Sequence, residues 1–187
     1  MSFAEHGIKH ERSQGVVDAA YRFAKHWHGD QKRKYTGEPY INHPVAVAQI
    51  VASRTQGIAM IAAALLHDVL EDTDATVKDL EDFGLGFDIA RLVVELTDVS
   101  KPEDGNRAVR KEMDRQHTAE ASDWAKTVKL ADLIDNTESI MEHDEDFAKV
   151  YMREKQALLE VLQGGDEVLM ERANRIVTDY YLERLEK

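Results

Sequence analysis

The sequence contains no cysteine and few of the residues that interrupt helices. The absence of cysteine among its 187 residues excludes disulfides, thiolate metal sites and cysteine nucleophiles. Any bound metal must therefore be held by His, Asp or Glu side chains. Only three prolines and ten glycines occur, and no segment alternates apolar and polar residues over the length of a strand. We therefore predict an all-α fold, a helical bundle.

Long apolar segments are also missing. No stretch approaches the roughly 18 apolar residues that span a bilayer. The first residues, MSFAEHGIKHERSQG, lack the apolar centre of a signal peptide. We therefore expect a cytoplasmic protein with no membrane partner.

Positive charge is scarce, with 24 Lys and Arg against 36 Asp and Glu, a net charge of −12. This balance argues against a nucleic-acid partner, because such binding depends on cations that neutralise phosphates. An anionic small molecule would need a local basic patch, and the run Lys32-Arg33-Lys34 is the most concentrated one.

Apolar residues recur at helical spacing along most of the chain. The turn residues KPEDGN, at 101–106, form the clearest break but are too few to define a domain boundary. We predict helices over residues 13–28, from 44, 58–70, 76–82, 87–97, 107–121, from 123, 144–163 and 166–185.

The segment ALLHDVLEDT, residues 64–73, places ionisable residues on an apolar helix. With about 100° per residue, His67, Asp68, Glu71 and Asp72 share one side of the helix. A His-Asp pair alone is typical of an exposed ion pair, but the preceding residues are too apolar for an exposed helix. Burying several acids without a cation is very unfavourable, so the pattern indicates a metal ion.

Two further residues could complete a coordination sphere. His43 directly precedes Pro44, which opens a helix, so its alternative role is to cap that helix. Asp132 lies in the apolar stretch TVKLADLIDN, where the alternative is a buried salt bridge.

These residues, with the segments GEPYINHP, AALLHDVLEDT, LTD and VKLAD, resemble the HD superfamily of metal-dependent phosphohydrolases. More narrowly, the pattern is similar to the hydrolase domain of the RelA/SpoT alarmone enzymes and their small single-domain relatives. The resemblance runs from about Phe23 to Asn136. It implies one HD domain over residues 1–187, with a catalytic core at about 13–140 and C-terminal helices at 144–185.

The resemblance also implies the roles of individual residues. One divalent ion, typically manganese in that family, would be held by His43, His67, Asp68 and Asp132. Two imidazoles and two carboxylates also suit Fe²⁺ or another first-row divalent ion. Glu71 and Asp72 match the acidic pair that orients and deprotonates the attacking water. The alternative for this pair is a structural role beside neighbouring Lys or Arg residues.

The substrate contacts implied by the resemblance lie in two places. Arg33 and Lys34 would stack on the base or contact phosphate, and Asn136 would face the sugar or base. The alternatives are a solvated basic loop and a helix-ending cap. Relatives usually carry cations where this chain has Leu133 and Glu138. We expect these changes to weaken binding of a highly charged substrate.

The implied activity is hydrolysis of the 3′-diphosphate of guanosine tetra- or pentaphosphate, a small-molecule nucleotide. No synthetase domain fits in the other residues, so we expect hydrolysis alone. The alternatives are a phosphatase acting on another phosphorylated nucleotide, such as a nicotinamide cofactor, and a non-catalytic nucleotide sensor. No sequence feature sets an oligomeric state.

Overall fold

The computed structural model describes residues 11–185, apart from the side chains of residues 11–13 and 138. The α-helices are α1 Glu11–His28, α2 Asn42–Ala52, α3 Ile58–Leu66, α4 Val69–Asp72, α5 Val77–Asp82, α6 Phe87–Leu96, α7 Arg107–Glu120, α8 Asp123–His143, α9 Glu145–Val161 and α10 Glu167–Leu185. A short 3₁₀ helix covers Pro102–Asp104. Within residues 11–185, extended pairing is limited to one isolated bridge between Lys32 and Pro39. The all-α prediction is confirmed.

None of the helices in the described part of the chain combines the length and apolar character needed to cross a membrane. The chain divides into two compact units, one ending at Thr97 and the other beginning at Asp98. This division falls just before the KPEDGN segment. The single HD domain stays a prediction.

The first unit is built around α3. Its sequence, IAMIAAALL, is apolar on every side, and all residues from Met60 to Leu66 are buried. Helix α3 packs against α1, α2 and α6. Burial of a large side chain such as Ile61 or Leu65 stabilises the fold by about 1.5–3 kcal/mol. This packing holds the C-terminal end of α3, where His67 and Asp68 follow, in a fixed position.

The second unit contains α8 packed against α9 and α10, with α7 packed against α9. The turn between α9 and α10 lies close to α8, because a Cβ atom on Gly165 would be 2.9 Å from Leu130 Cδ1. Gly164 in the same turn has φ +97°, a conformation that side chains disfavour. Two adjacent glycines therefore allow this turn to pack against α8.

The helix predicted over 58–70 is interrupted after Leu66, and a separate four-residue helix, α4, follows at Val69. His67 Nδ1 is 2.9 Å from the carbonyl oxygen of Ala64. In a continuing α-helix that carbonyl would accept the amide of Asp68. The side chain thus competes with the backbone where the helix ends. His67 and Asp68 keep right-handed helical torsions, so the chain continues in helical turns.

Candidate metal centre

Three of the four predicted metal ligands come together in the first unit. His43 is the second residue of α2, and His67 and Asp68 join α3 to α4. Asp68 Oδ2 is 3.1 Å from His67 Nε2 and 3.4 Å from His43 Nε2. One ligand atom from each residue lies within 4.8 Å of the others. Both histidines are only 2% exposed, whereas Asp68 is partly exposed, so the cluster can be reached from one side.

The hydrogen bonding of His67 suits a metal ligand. The carbonyl of Ala64 can only accept, so Nδ1 of His67 carries the proton and donates to it. Nε2 of His67 then faces Asp68 and His43, where it can donate a proton to the Asp68 carboxylate without a metal and would offer its lone pair to a bound ion. Metal-binding histidines usually donate their second nitrogen to such an acceptor. Two imidazoles and a carboxylate arranged in this way fit a first-row divalent ion.

Asp68 is held by Tyr40 as well as by the two histidines. The Tyr40 hydroxyl donates to Asp68 Oδ2 at 2.7 Å. Burial alone raises the pKa of Asp68, but the charge of His67 and hydrogen bonds from both histidines bring it well below its usual range. Burial and the neighbouring Asp68 charge raise the pKa of Tyr40. Asp68 is therefore a carboxylate, and Tyr40 stays a hydrogen-bond donor.

The acidic pair predicted to act on water lies in α4. Glu71 and Asp72 are both exposed. They border an open cleft of about 590 Å³ whose lining is Trp27, His28, Gln31, Glu71, Asp72, Thr73 and Asp74. Gln31 Nε2 donates to Asp72 Oδ2 at 3.5 Å. The carboxylates are thus open to a ligand in the cleft.

The basic loop between α1 and α2 has an ordered backbone. Arg33 donates its amide to Glu38 O at 2.9 Å, and Tyr40 donates its amide to Gln31 O at 2.9 Å. Arg33 is half-buried, whereas Lys34 is exposed and lies 4.6 Å above the ring of Tyr35. The cationic side chains of this loop are therefore attached to a backbone that hydrogen bonds hold in place.

The fourth predicted ligand, Asp132, belongs to α8 in the second unit. Its side chain is largely buried, and Asn136 Nδ2 donates to its Oδ1 at 2.6 Å. Lys129 Nζ is 4.0 Å from Asp132 Oδ2, a long distance for an ion pair. Because α8 continues to His143, Asn136 does not cap the helix. It orients Asp132 instead, one turn away on the same face.

Leu133 is buried, only 6% exposed. Its carbonyl accepts from the Thr137 hydroxyl and lies 3.4 Å from Lys155 Nζ. The apolar side chain thus belongs to the packed interior of the second unit. Glu138 lies in α8, and its side chain is outside the part of the chain that the structure describes.

Three residues near the candidate ligands were not predicted from the sequence: His28, Gln31 and Tyr40. A signal for His28 was available, because it follows Val17, Ala20 and Ala24 at the spacing of their buried stripe. A histidine at the end of such a stripe must find a polar partner. The bonds of Gln31 and Tyr40 depend on loop closure, which helical periodicity does not indicate.

The amino-acid sequence is similar to a known protein family. The HD domain family matches residues 20–163. The guanosine-3′,5′-bis(diphosphate) 3′-pyrophosphohydrolase MESH1 of Danio rerio is 40% identical over 128 residues, 66% of this chain and 68% of that protein. A guanosine-3′,5′-bis(diphosphate) 3′-pyrophosphohydrolase of Aquifex aeolicus is 48% identical over 85 residues, 46% of this chain, but this chain spans only 12% of its length.

A solved structure also matches, with a TM-score of 0.79 and 29% sequence identity. The match covers 88% of this chain and 95% of the other. That structure is described as a metazoan ortholog of SpoT that hydrolyses ppGpp and plays a role in starvation responses. From the extent of the family match and the identity to these relatives, the chain belongs to the HD domain family.

Proposed function

We propose that this protein is a metal-dependent phosphohydrolase that removes the 3′-diphosphate of guanosine 3′,5′-bis(diphosphate) as pyrophosphate. The convergence of His43, His67 and Asp68 on one point carries the proposed reaction class. The proposed substrate is the one that the names of the relatives give for those proteins. The cleft beside Glu71 and Asp72 provides an exposed place for its phosphates.

The ligand set of the proposal includes Asp132, which the family resemblance implies as the fourth ligand. Manganese is the proposed ion, and other first-row divalent ions suit the same donors. A divalent ion held by these residues would polarise a phosphoryl oxygen and lower the pKa of a water molecule. Asn136, through its 2.6 Å hydrogen bond, would hold the Asp132 carboxylate in one orientation.

The proposed reaction is a displacement at the phosphorus attached to O3′. A water oxygen forms a bond to this phosphorus, the P–O3′ bond breaks, and pyrophosphate leaves. Glu71 and Asp72 accept the proton of the water and return a proton to O3′. Arg33 and Lys34 bind the nucleotide by stacking on the base or by contact with phosphate.

The test is an assay of the purified protein with Mn²⁺ against a panel of nucleotides, with phosphate and pyrophosphate measured separately. The panel includes guanosine 3′,5′-bis(diphosphate) and a phosphorylated nicotinamide dinucleotide. We expect pyrophosphate from the guanosine compound. Release of phosphate from another nucleotide, without pyrophosphate from the guanosine compound, would reject this substrate.

Two sets of variants separate metal binding from proton transfer. His67→Ala and Asp132→Ala each remove a proposed ligand, so both variants should lose bound metal and activity. If elemental analysis finds one ion per chain in either variant, the substituted residue is not a ligand.

Glu71→Gln keeps the shape of the side chain and removes the base, so metal should stay while turnover falls by about 100-fold or more. Glu81→Gln, at an exposed glutamate of α5, is the control.

A further inference from the structure

His28, the last residue of α1, is a buried histidine outside the proposed ligand set. It is only 4% exposed. Its Nδ1 lies 2.8 Å from Oε1 of Gln31, and its buried Nε2 has no hydrogen-bond partner within residues 11–185. Because an amide oxygen can only accept, Nδ1 carries the proton. The hydrogen bond to Gln31 therefore fixes a proton on Nδ1 and the orientation of the ring.

Gln31 also contacts Asp72, one of the two acidic residues of α4. With its Oε1 occupied by His28, its Nε2 faces Oδ2 of Asp72 at 3.5 Å and donates to it. A flipped amide would place its oxygen against the Asp72 carboxylate, which can only accept, so the observed orientation is the one that makes both contacts hydrogen bonds. The distance to Asp72 is long for a hydrogen bond, but catalytic hydrogen bonds often tighten only when substrate is bound.

The same histidine also contacts the residue that holds Asp68. The rings of His28 and Tyr40 have centroids 4.8 Å apart, and the Tyr40 hydroxyl donates to Asp68. Backbone bonds fix the three residues relative to one another, with Gln31 N donating to His28 O and Tyr40 N donating to Gln31 O, both at 2.9 Å. His28, Gln31 and Tyr40 thus form a rigid support beside the metal ligands.

We propose that His28 and Gln31 are positioning residues for the Asp72 carboxylate. The inference rests on the proposed function, in which Asp72 takes a proton from the attacking water. Asp72 is the last residue of a four-residue helix and is exposed. Its side chain can therefore adopt several rotamers unless a neighbour restricts it. The hydrogen bonds from His28 to Gln31 and from Gln31 to Asp72, here called the relay, select the Asp72 rotamer that faces the cleft.

The expected effect is on turnover rather than on substrate or metal binding. Gln31→Met keeps the length of the side chain and removes both hydrogen bonds, and we expect kcat to fall by about 10-fold or more with KM within about 2-fold. Metal content should stay at the wild-type level. In an Asp72→Asn background, Gln31→Met should change kcat by less than about 2-fold, because residues that act as a unit are not additive. If Gln31→Met lowers kcat by the same factor in the Asp72→Asn background as in the wild type, the relay is wrong.

Substitutions at His28 test the donor separately from the ring. His28→Asn can keep an N–H toward Gln31, so we expect kcat within about 3-fold of wild type. His28→Phe keeps a ring against Tyr40 but has no donor, and it should lose as much kcat as Gln31→Met. His26→Phe, at an exposed histidine of the same helix, is the matched control. Equal activity of the Asn and Phe variants would contradict the proposed donation.

A spectroscopic measurement tests the relay without any substrate. With diamagnetic Mg²⁺ in place of Mn²⁺, the ¹⁵N shifts of the His28 ring should report a protonated Nδ1 and an unprotonated Nε2, and Gln31→Met should change them. Unchanged shifts in that variant would overturn the relay. A wild-type protein that hydrolyses no nucleotide would instead reject the proposed function, whatever the His28 spectrum shows.

Discussion

Removal of one hydroxyl group, in Tyr40→Phe, should weaken metal binding without removing a ligand. The Tyr40 hydroxyl donates to Asp68 Oδ2 at 2.7 Å, and both histidine Nε2 atoms face this same oxygen. Asp68 and Tyr40 come from different segments, so their bond fixes the carboxylate relative to the loop. Without it, Asp68 must be ordered by metal binding itself.

The expected change in metal affinity follows from the charge of Asp68, which accepts the hydrogen bond. The pKa of Asp68 is held well below its usual range, so Tyr40 donates to a carboxylate, and such a bond contributes about 1.5–3 kcal/mol. If the whole contribution is lost in the metal-bound state, the Kd rises by about 10- to 150-fold. Loss of an outer partner of a metal ligand has effects of the same size.

Calorimetric titration with Mn²⁺ measures this change directly. Tyr35→Phe is the control, since Tyr35 is in the same loop and its hydroxyl accepts from Lys34 Nζ rather than contacting a ligand. Both variants should unfold, free of metal, within a few degrees of wild type. A Tyr40→Phe protein that is folded and binds Mn²⁺ within 2-fold of wild type would refute the argument that Tyr40 orients Asp68.

Two further predictions concern stability, and both centre on residues of the second unit, Gly164 and Asp98, with Gly15 of the first unit for comparison. Gly164→Ala should destabilise the fold by about 1 kcal/mol or more, because its φ is +97° and its Cβ would be 2.3 Å from Asp123 Oδ1; Gly15→Ala, in α1 with open space around it, should instead stabilise by about 0.5–1 kcal/mol in the same thermal unfolding assay. Burial alone would raise the pKa of Asp98, but two lysine ammonium groups lower it. Asp98 therefore contributes to the free energy of unfolding above pH of about 4, and this contribution is lost as pH falls through its lower folded pKa. Asp98→Asn should reduce the free energy of unfolding in urea by about 1 kcal/mol at pH 7, and a difference that does not shrink as pH is lowered from about 4 would contradict this.

The helices were largely predictable because the chain has a strong apolar pattern and few interruptions. Helix α7 was expected at 107–121 and is found at Arg107–Glu120, and α10 was expected at 166–185 and is found at Glu167–Leu185. The interruption after Leu66 was not expected. It depends on one side-chain bond from His67 to the Ala64 carbonyl, and hydrophobic periodicity carries no information about such a bond.

The clustering of His43, His67 and Asp68 was predictable for a different reason. Buried histidines and carboxylates in an apolar environment need partners, and the residue types in ALLHDVLEDT and INHP allow few. His43, His67 and Asp68 lie close enough to share one ion, and their role as metal ligands stays a prediction. The supporting residues were not predictable, because the hydrogen bonds of Gln31 and Tyr40 arise only when the loop between α1 and α2 closes on itself.

If the proposed function holds, the charges around the cleft couple metal binding to substrate binding. Glu71 and Asp72 border the cleft, Asp68 is a carboxylate at the metal cluster, and the whole protein carries a net charge of −12. These groups repel an anionic nucleotide unless a cation offsets them. Arg33 and Lys34 supply two positive charges, which is fewer than the number of negative charges on guanosine 3′,5′-bis(diphosphate). A divalent ion at the cluster would supply two more where the phosphates react. Because coupling between two bound ligands is reciprocal, a nucleotide that binds more tightly with the ion must also tighten the binding of the ion.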